Sequence, residues 1–159
     1  MNMLKQKLRF TAAAIGGDVS PKTLRNWLNR YPLKLIADYE ADGWTEFTVF
    51  DVAIIALMKE LADWGVPVER ANEIAFKTMM GIAHPLLGYK NTPVAAFVAC
   101  FRGKTKFVWK SGSIYQESTF SEGQSADDLP QAMTVLSVDL EHLVTLAMGR
   151  LSAVSEMDK

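Results

Sequence analysis

The chain has 159 residues, a formal net charge of -1 and 49% hydrophobic residues, enough apolar material for a packed core in one compact domain or in a small head with a second unit. A single cysteine, Cys100, excludes an intrachain disulfide, and no segment approaches the roughly 18 apolar residues that a membrane span needs. The near-neutral total hides charge blocks: residues 1–36 carry seven Lys/Arg against one Asp, 37–80 three against nine acids, 81–120 five against one, and 121–159 two against seven. A phosphate backbone responds to local field rather than to the molecular sum, so the first block is a candidate contact surface.

In chain order, MNMLKQKLRF is basic but lacks the apolar stretch of a signal peptide, which points by default to a cytoplasmic setting. Thr11 to Ile15 reads as a short helix with Thr11 as its cap, broken by Gly16-Gly17-Asp18. Ser20-Pro21 restarts a helix, since serine suits the cap and proline the first helical position; SPKTLRNWLNR then runs to Tyr31-Pro32. LKLIADYEADGWTEF reads as two short extended pieces around the turn dipeptide Asp42-Gly43. Thr48 and Asp51 look like a capping box that opens a helix to about Trp64, with Ile54, Leu57, Met58 and Leu61 on one face and Val52 and Ile55 on a second apolar edge. Gly65 stops it. Val68 to Met80 is a further helix with Ala71, Ile74, Ala75 and Met79 on one side.

His84 to Pro93 reads as irregular. Val94–Phe101 and Lys106–Trp109 are strand candidates joined through Arg102-Gly103-Lys104, which places Cys100 in a buried apolar strand. A polar loop is expected over 117–130, and a third strand over Thr134–Val138. Asp139 caps a last helix whose Leu140, Leu143, Val144, Ala147, Leu151 and Val154 form a stripe at helical spacing.

The second helix carries the functional signal. Leu24 and Leu28, with Val19 beside them, form a seam to bury, which leaves Lys22, Arg25, Asn26, Asn29 and Arg30 outward. Asparagine and arginine pair bidentately with adenine and guanine edges in the major groove. Ser20 and the helix start can meet a phosphate through backbone N–H groups. No acidic residue occurs from 19 through 37, so no carboxylate faces the phosphates there.

The order helix, tight turn, helix, two-stranded wing, helix resembles the MerR-type winged helix-turn-helix family. The matching residues are Phe10-Thr11, Val19-Ser20-Pro21-Lys22-Thr23-Leu24-Arg25-Asn26-Trp27, Gly43-Trp44-Thr45-Glu46-Phe47-Thr48, Asp51-Val52 and Leu61-Ala62-Asp63-Trp64-Gly65-Val66, within about residues 8–78. The resemblance implies that Ser20, Lys22, Thr23 and Arg25 lie at duplex DNA. It also implies that Trp27 helps to hold the helix against the backbone and that Trp44 is the wing aromatic. The family's wing usually carries arginine where this chain has Thr45 and Glu46. Asp38, Glu40 and Asp42 flank it, so Lys34 takes over part of the phosphate contact in this reading.

The expected fold is therefore α+β: a winged helix-turn-helix over 1–80 and a small unit of about three strands and a closing helix over 81–159. No heptad run follows Gly81, so the family's coiled-coil dimer is not carried over. One cysteine and two distant histidines, His84 and His142, do not make a metal sensor. Gly103-Lys104-Thr105 lacks the upstream glycine of a phosphate loop and reads as a hairpin turn. Arg102, Lys104, Lys106 and Lys110 cluster with Phe107 and Trp109, a patch expected to pair with the acidic 37–80 segment in the fold or in a dimer rather than with nucleic acid. Asp139 and His142 show no nucleophile elbow, and no enzyme or cofactor is expected. The leading expectation is a DNA-binding transcription regulator acting as a homodimer, its C-terminal unit dimerising or taking a small effector. The alternatives are a winged architectural or recombination accessory protein, of excisionase or packaging-adaptor type, and a protein adaptor that binds no DNA.

Overall fold

The computed structural model describes residues 7–37, 46–88 and 92–157. Among the described residues the fold is mixed α+β, with six α-helices and one three-stranded antiparallel sheet: α1 (Phe10–Gly16), α2 (Pro21–Arg30), α3 (Val49–Asp63), α4 (Val68–Ala83), α5 (Val94–Ala99), β1 (Lys104–Ser111), β2 (Ile114–Ser121), β3 (Val135–Asp139) and α6 (Leu140–Met157). Among the described residues no helix is long and apolar enough to cross a membrane.

Three helix starts follow their capping chemistry, whereas α1 begins after Arg9 without a side-chain cap, so Thr11 lies within it and is not its cap. Ser20 Oγ accepts the Thr23 backbone N–H at 3.0 Å and opens α2. Thr48 Oγ1 accepts from Asp51 N at 3.3 Å while the Asp51 carboxylate accepts from Thr48 N at 2.9 Å, a reciprocal box at the start of α3. Asp139 Oδ1 accepts from His142 N at 3.1 Å where β3 passes into α6. Gly65, at φ +94°, ends the α3 region in the left-handed conformation that glycine adopts freely.

Helix α3 is the hub. Ile54, Ile55, Leu57, Met58 and Leu61 are fully buried, and a continuous cluster of buried side chains runs from Leu8 through α3 to Leu151. The expected stripe on α4 is buried as well, and so are Leu140, Leu143, Val144, Ala147 and Leu151 on α6. Helix α6 packs against both α1 and α3, which joins the last segment of the chain to the first.

Three expectations are overturned between residues 94 and 121. Val94–Ala99 is a helix and not a strand. Its Val94, Phe97, Val98 and Phe101 recur at i, i+3, i+4 and i+7, and Phe97 stacks against Phe50 of α3 with ring centroids 4.8 Å apart. Cys100 therefore lies at the end of a helix, half-buried, and burial pushes its thiol up from the ordinary value. Gly103, at φ +68°, turns helix into strand and does not close a hairpin. The hairpin joins β1 to β2 through Gly112-Ser113, with Ser111 opposite Ile114 and Gly112 at φ +64°. Residues 117–121 of the expected polar loop thus belong to β2. The sheet order is β2-β1-β3, with Val108 paired to Leu136 across the β1–β3 edge.

The hairpin charges also differ from expectation. Lys106 is only 2% exposed, its Nζ 3.2 Å from Glu117 Oε1 and within hydrogen-bond reach of Thr119 Oγ1. Burial holds Lys106 below its ordinary value, against the pull of Glu117. The hairpin's cation is paired to the hairpin's own acid rather than to an acid of 37–80. From that stretch come two further cations instead: Lys77 Nζ lies 3.5 Å from Glu117 Oε1, and Arg70 donates to the Tyr115 carbonyl at 2.8 Å.

Candidate nucleic-acid interface

Helices α1 and α2 meet through a four-residue connection, Gly17-Asp18-Val19-Ser20. Its tightness follows from the absence of side chains. A Cβ on Gly16 would sit 2.7 Å from Val52 Cγ1, and one on Gly17 would overlap Ile55 Cγ2. Asp18, at φ +59°, takes the left-handed position that aspartate tolerates. Its carboxylate lies 3.3 Å from Lys59 Nζ of α3, a cation it shares with Asp63 at 3.0 Å.

Helix α2 then has two distinct faces. Leu24 is fully buried and Leu28 nearly so, while Lys22, Arg25, Asn26, Asn29 and Arg30 are exposed. Among the described residues Lys22, Arg25, Arg30 and Lys34 make no ion pair with a carboxylate. Among the described residues the outward side of α2 is thus a positively charged surface without a paired carboxylate.

Arg25 is held in place. Its guanidinium carbon lies 5.3 Å from the centroid of the Phe10 ring, and Phe10 meets Phe47 edge to face at 6.1 Å. Phe47 in turn bridges Leu8 by two backbone hydrogen bonds of 2.8 and 2.9 Å. A stack of this kind restricts the rotamers of arginine while its N–H edges remain able to donate. Phe10, in the first helix, is the residue that the sequence reading placed in the scaffold without seeing this role.

Ser20 and Thr23 are tied to each other, the Ser20 hydroxyl donating to Thr23 Oγ1 at 2.8 Å. Their oxygens are occupied by capping, which leaves the exposed Lys22 as the charged group at the head of α2. Trp27 is half-buried against the core and anchors the helix from below. Lys34 is exposed, and its backbone is clamped by Asn72, whose Oδ1 accepts from Lys34 N at 2.7 Å and whose Nδ2 donates to Lys34 O at 3.0 Å. The structure thus brings Lys22, Arg25, Asn26, Asn29 and Arg30 onto one helix and sets Lys34 just beyond its end. Trp44, Thr45 and the Asp42-Gly43 turn lie outside the described residues, as does most of the expected wing. The described Leu33–Ala37 stretch forms no strand and lies along α4 and the start of α3.

The Asp51 carboxylate fixes that stretch. It accepts from Ile36 N at 2.6 Å, from Ala37 N at 3.2 Å and from Thr48 N and Oγ1 at 2.9 and 3.0 Å. Burial pushes its pKa up from 3.8, and the hydrogen bonds it accepts pull the other way. One side chain therefore positions both edges of the segment in which a wing is expected.

Neither the comparison with protein-family models nor the comparison with curated proteins finds a match.

Proposed function

We propose that the chain binds duplex DNA through α2, as a winged helix-turn-helix transcription regulator of MerR-like type. The observation that carries this reading is the outer face of α2: three exposed cations and two exposed asparagines on a helix whose opposite side is buried, in a stretch without a single acid. The short α1–α2 connection supports it, since a helix pair joined by a few residues is the usual carrier of a groove-entering helix. Arg25 is the base reader in this reading, pre-oriented on Phe10, with Asn26 and Asn29 beside it. Lys22, Arg30 and Lys34 meet phosphates. One such helix spans few base pairs, so a homodimer on a two-fold site supplies the remaining specificity.

Selection from a random duplex pool followed by a salt series tests the reading. A selected sequence is expected to bind with log K falling linearly in log salt, by about 0.9 per phosphate contact. Arg30→Ala is expected to weaken binding to all sequences and to lower that slope by about one contact, whereas Arg25→Ala costs about 1–3 kcal/mol on the selected site and little elsewhere. No duplex binding even at low salt would sink the reading and favour a protein adaptor.

A further inference from the structure

A concavity lies against the sheet, and no residue of α2 lines it. It has a volume of about 390 Å³ and opens between the C-terminal end of α3 and the three strands, a size within the range of small-molecule sites. Val108 and Leu136, cross-strand partners on β1 and β3, form its floor. Tyr115 of β2 and Trp64, the capping residue of α3, bring aromatic rings to it. Tyr115 is fixed at both ends: its hydroxyl donates to Gly65 O at 3.3 Å and its carbonyl accepts from Arg70. Trp64 is 63% exposed, a large apolar surface left open beside an apolar cavity.

The charge of this lining is one-sided. Lys110 lies opposite Tyr115 in the β1–β2 register, with Nζ 5.8 Å from the ring centroid. No acidic residue lines the cavity, and among the described residues Lys110 has no carboxylate partner. Trp109 also borders the cavity, but Val108 and Lys110 share the inward strand face, so alternation turns the Trp109 ring to the opposite face. The charged lining thus amounts to one cation over an apolar bed flanked by two aromatic side chains, with Ala132, Met133 and Thr134 at the rim.

We propose that this cavity binds a small planar apolar molecule that carries one carboxylate. Its rings rest on Val108 and Leu136 between Trp64 and Tyr115, and its carboxylate pairs with Lys110. A cationic ligand meets Lys110 with no acid to offset it, and a multiply charged anion finds only one counter-charge.

Calorimetric titration with 2-naphthoate, with 2-naphthamide and 2-naphthylmethylammonium as companions and no DNA present, tests this. Expected is saturable one-to-one binding of 2-naphthoate, with the ammonium analogue at least about tenfold weaker. Lys110→Met is expected to weaken 2-naphthoate by about tenfold and to leave 2-naphthamide unchanged. Trp64→Ala is expected to weaken both by a similar factor. Both side chains are exposed, so unchanged melting curves show that the variants fold. The proposal is overturned by a lack of saturable 2-naphthoate binding at millimolar concentration, by equal affinity for the carboxylate and the ammonium, or by binding that neither substitution weakens. Because DNA is absent from the titration, these outcomes are separate from those of the salt series.

Discussion

Asp51 concentrates several tasks in one carboxylate. It closes the cap of α3, and it also accepts the N–H groups of Ile36 and Ala37. Removal of the side chain strands those N–H groups in a buried site, so Asp51→Ala is expected to cost about 2–4 kcal/mol, read as a lowered denaturation midpoint. The pH dependence has a definite sign. Burial raises the folded pKa above 3.8, so the folded chain holds this proton more tightly than the unfolded chain does. The resulting contribution is fully present below the unfolded value and is lost as pH rises through the raised folded value. The stability of the native protein relative to Asp51→Asn is therefore expected to fall across that acidic window, measured by denaturant melts at a series of pH values; a gap that widens with pH would overturn the assignment. Lys106 is the second buried charge, and its partner was legible only in part. Strand alternation puts even-numbered residues of β1 on the inner face together, and Lys106 sits there among Val108 and Lys104. The charge blocks point to an acid of 37–80 as its partner, because no local pattern announces that a lysine has a glutamate two strand positions off its own register.

At the scale of elements, the α1–α2 connection depends on two glycines pressed against α3. Gly17→Val is expected to destabilise by about 1–3 kcal/mol or more, because Ile55 is fully buried and cannot move aside. The same substitution tilts α2 and so is expected to weaken DNA binding beyond the loss in stability, measured on the selected duplex at a temperature where the variant is folded. The long helices were legible because each carries a periodic face, and α2, α3 and α6 a start signal besides: Ser20-Pro21, Thr48 with Asp51, and Asp139 all cap where the sequence places them. Short elements were not. Val94–Ala99 is an apolar run too short for composition to separate helix from strand, and only its continuation to Phe101 reveals the helical spacing. β2 was hidden because IYQESTFS is rich in serine and polar residues, a composition shared with loops. The usable signal was the dipeptide Gly112-Ser113, which fits a two-residue hairpin. The candidate cavity is not legible in the sequence for a related reason. It is assembled from α3, β1, β2 and β3, so no contiguous segment spells it.

For the whole molecule, the two ends of the chain share one core. Leu151 of α6 packs beside Gly16 at the end of α1, and Arg150 Nε donates to Gly16 O at 3.0 Å. A chain cut after Asp139 uncovers Ala13, Ala14 and part of α3, so it is expected to lose cooperative thermal unfolding rather than to leave an intact N-terminal half. A sharp calorimetric transition in that truncated chain would contradict the shared core. The proposed dimer has its own check: sedimentation is expected to give twice 17.7 kDa, and a mass of 17.7 kDa at working concentration sinks it.

The junction of α6 with α1 also bears on how such a chain can change over generations. Gene fusions commonly move a DNA-reading head as a detachable cassette. Here α1 and α2, the proposed DNA-reading pair, are closed by α6 of the same polypeptide, at Arg150 and Leu151. A recombination break anywhere between α4 and α6 leaves neither fragment with a finished interior. Insertions are then expected to be tolerated best in exposed loops such as the stretch between β2 and β3. Any grafted copy of α2 has to travel with the far end of the protein.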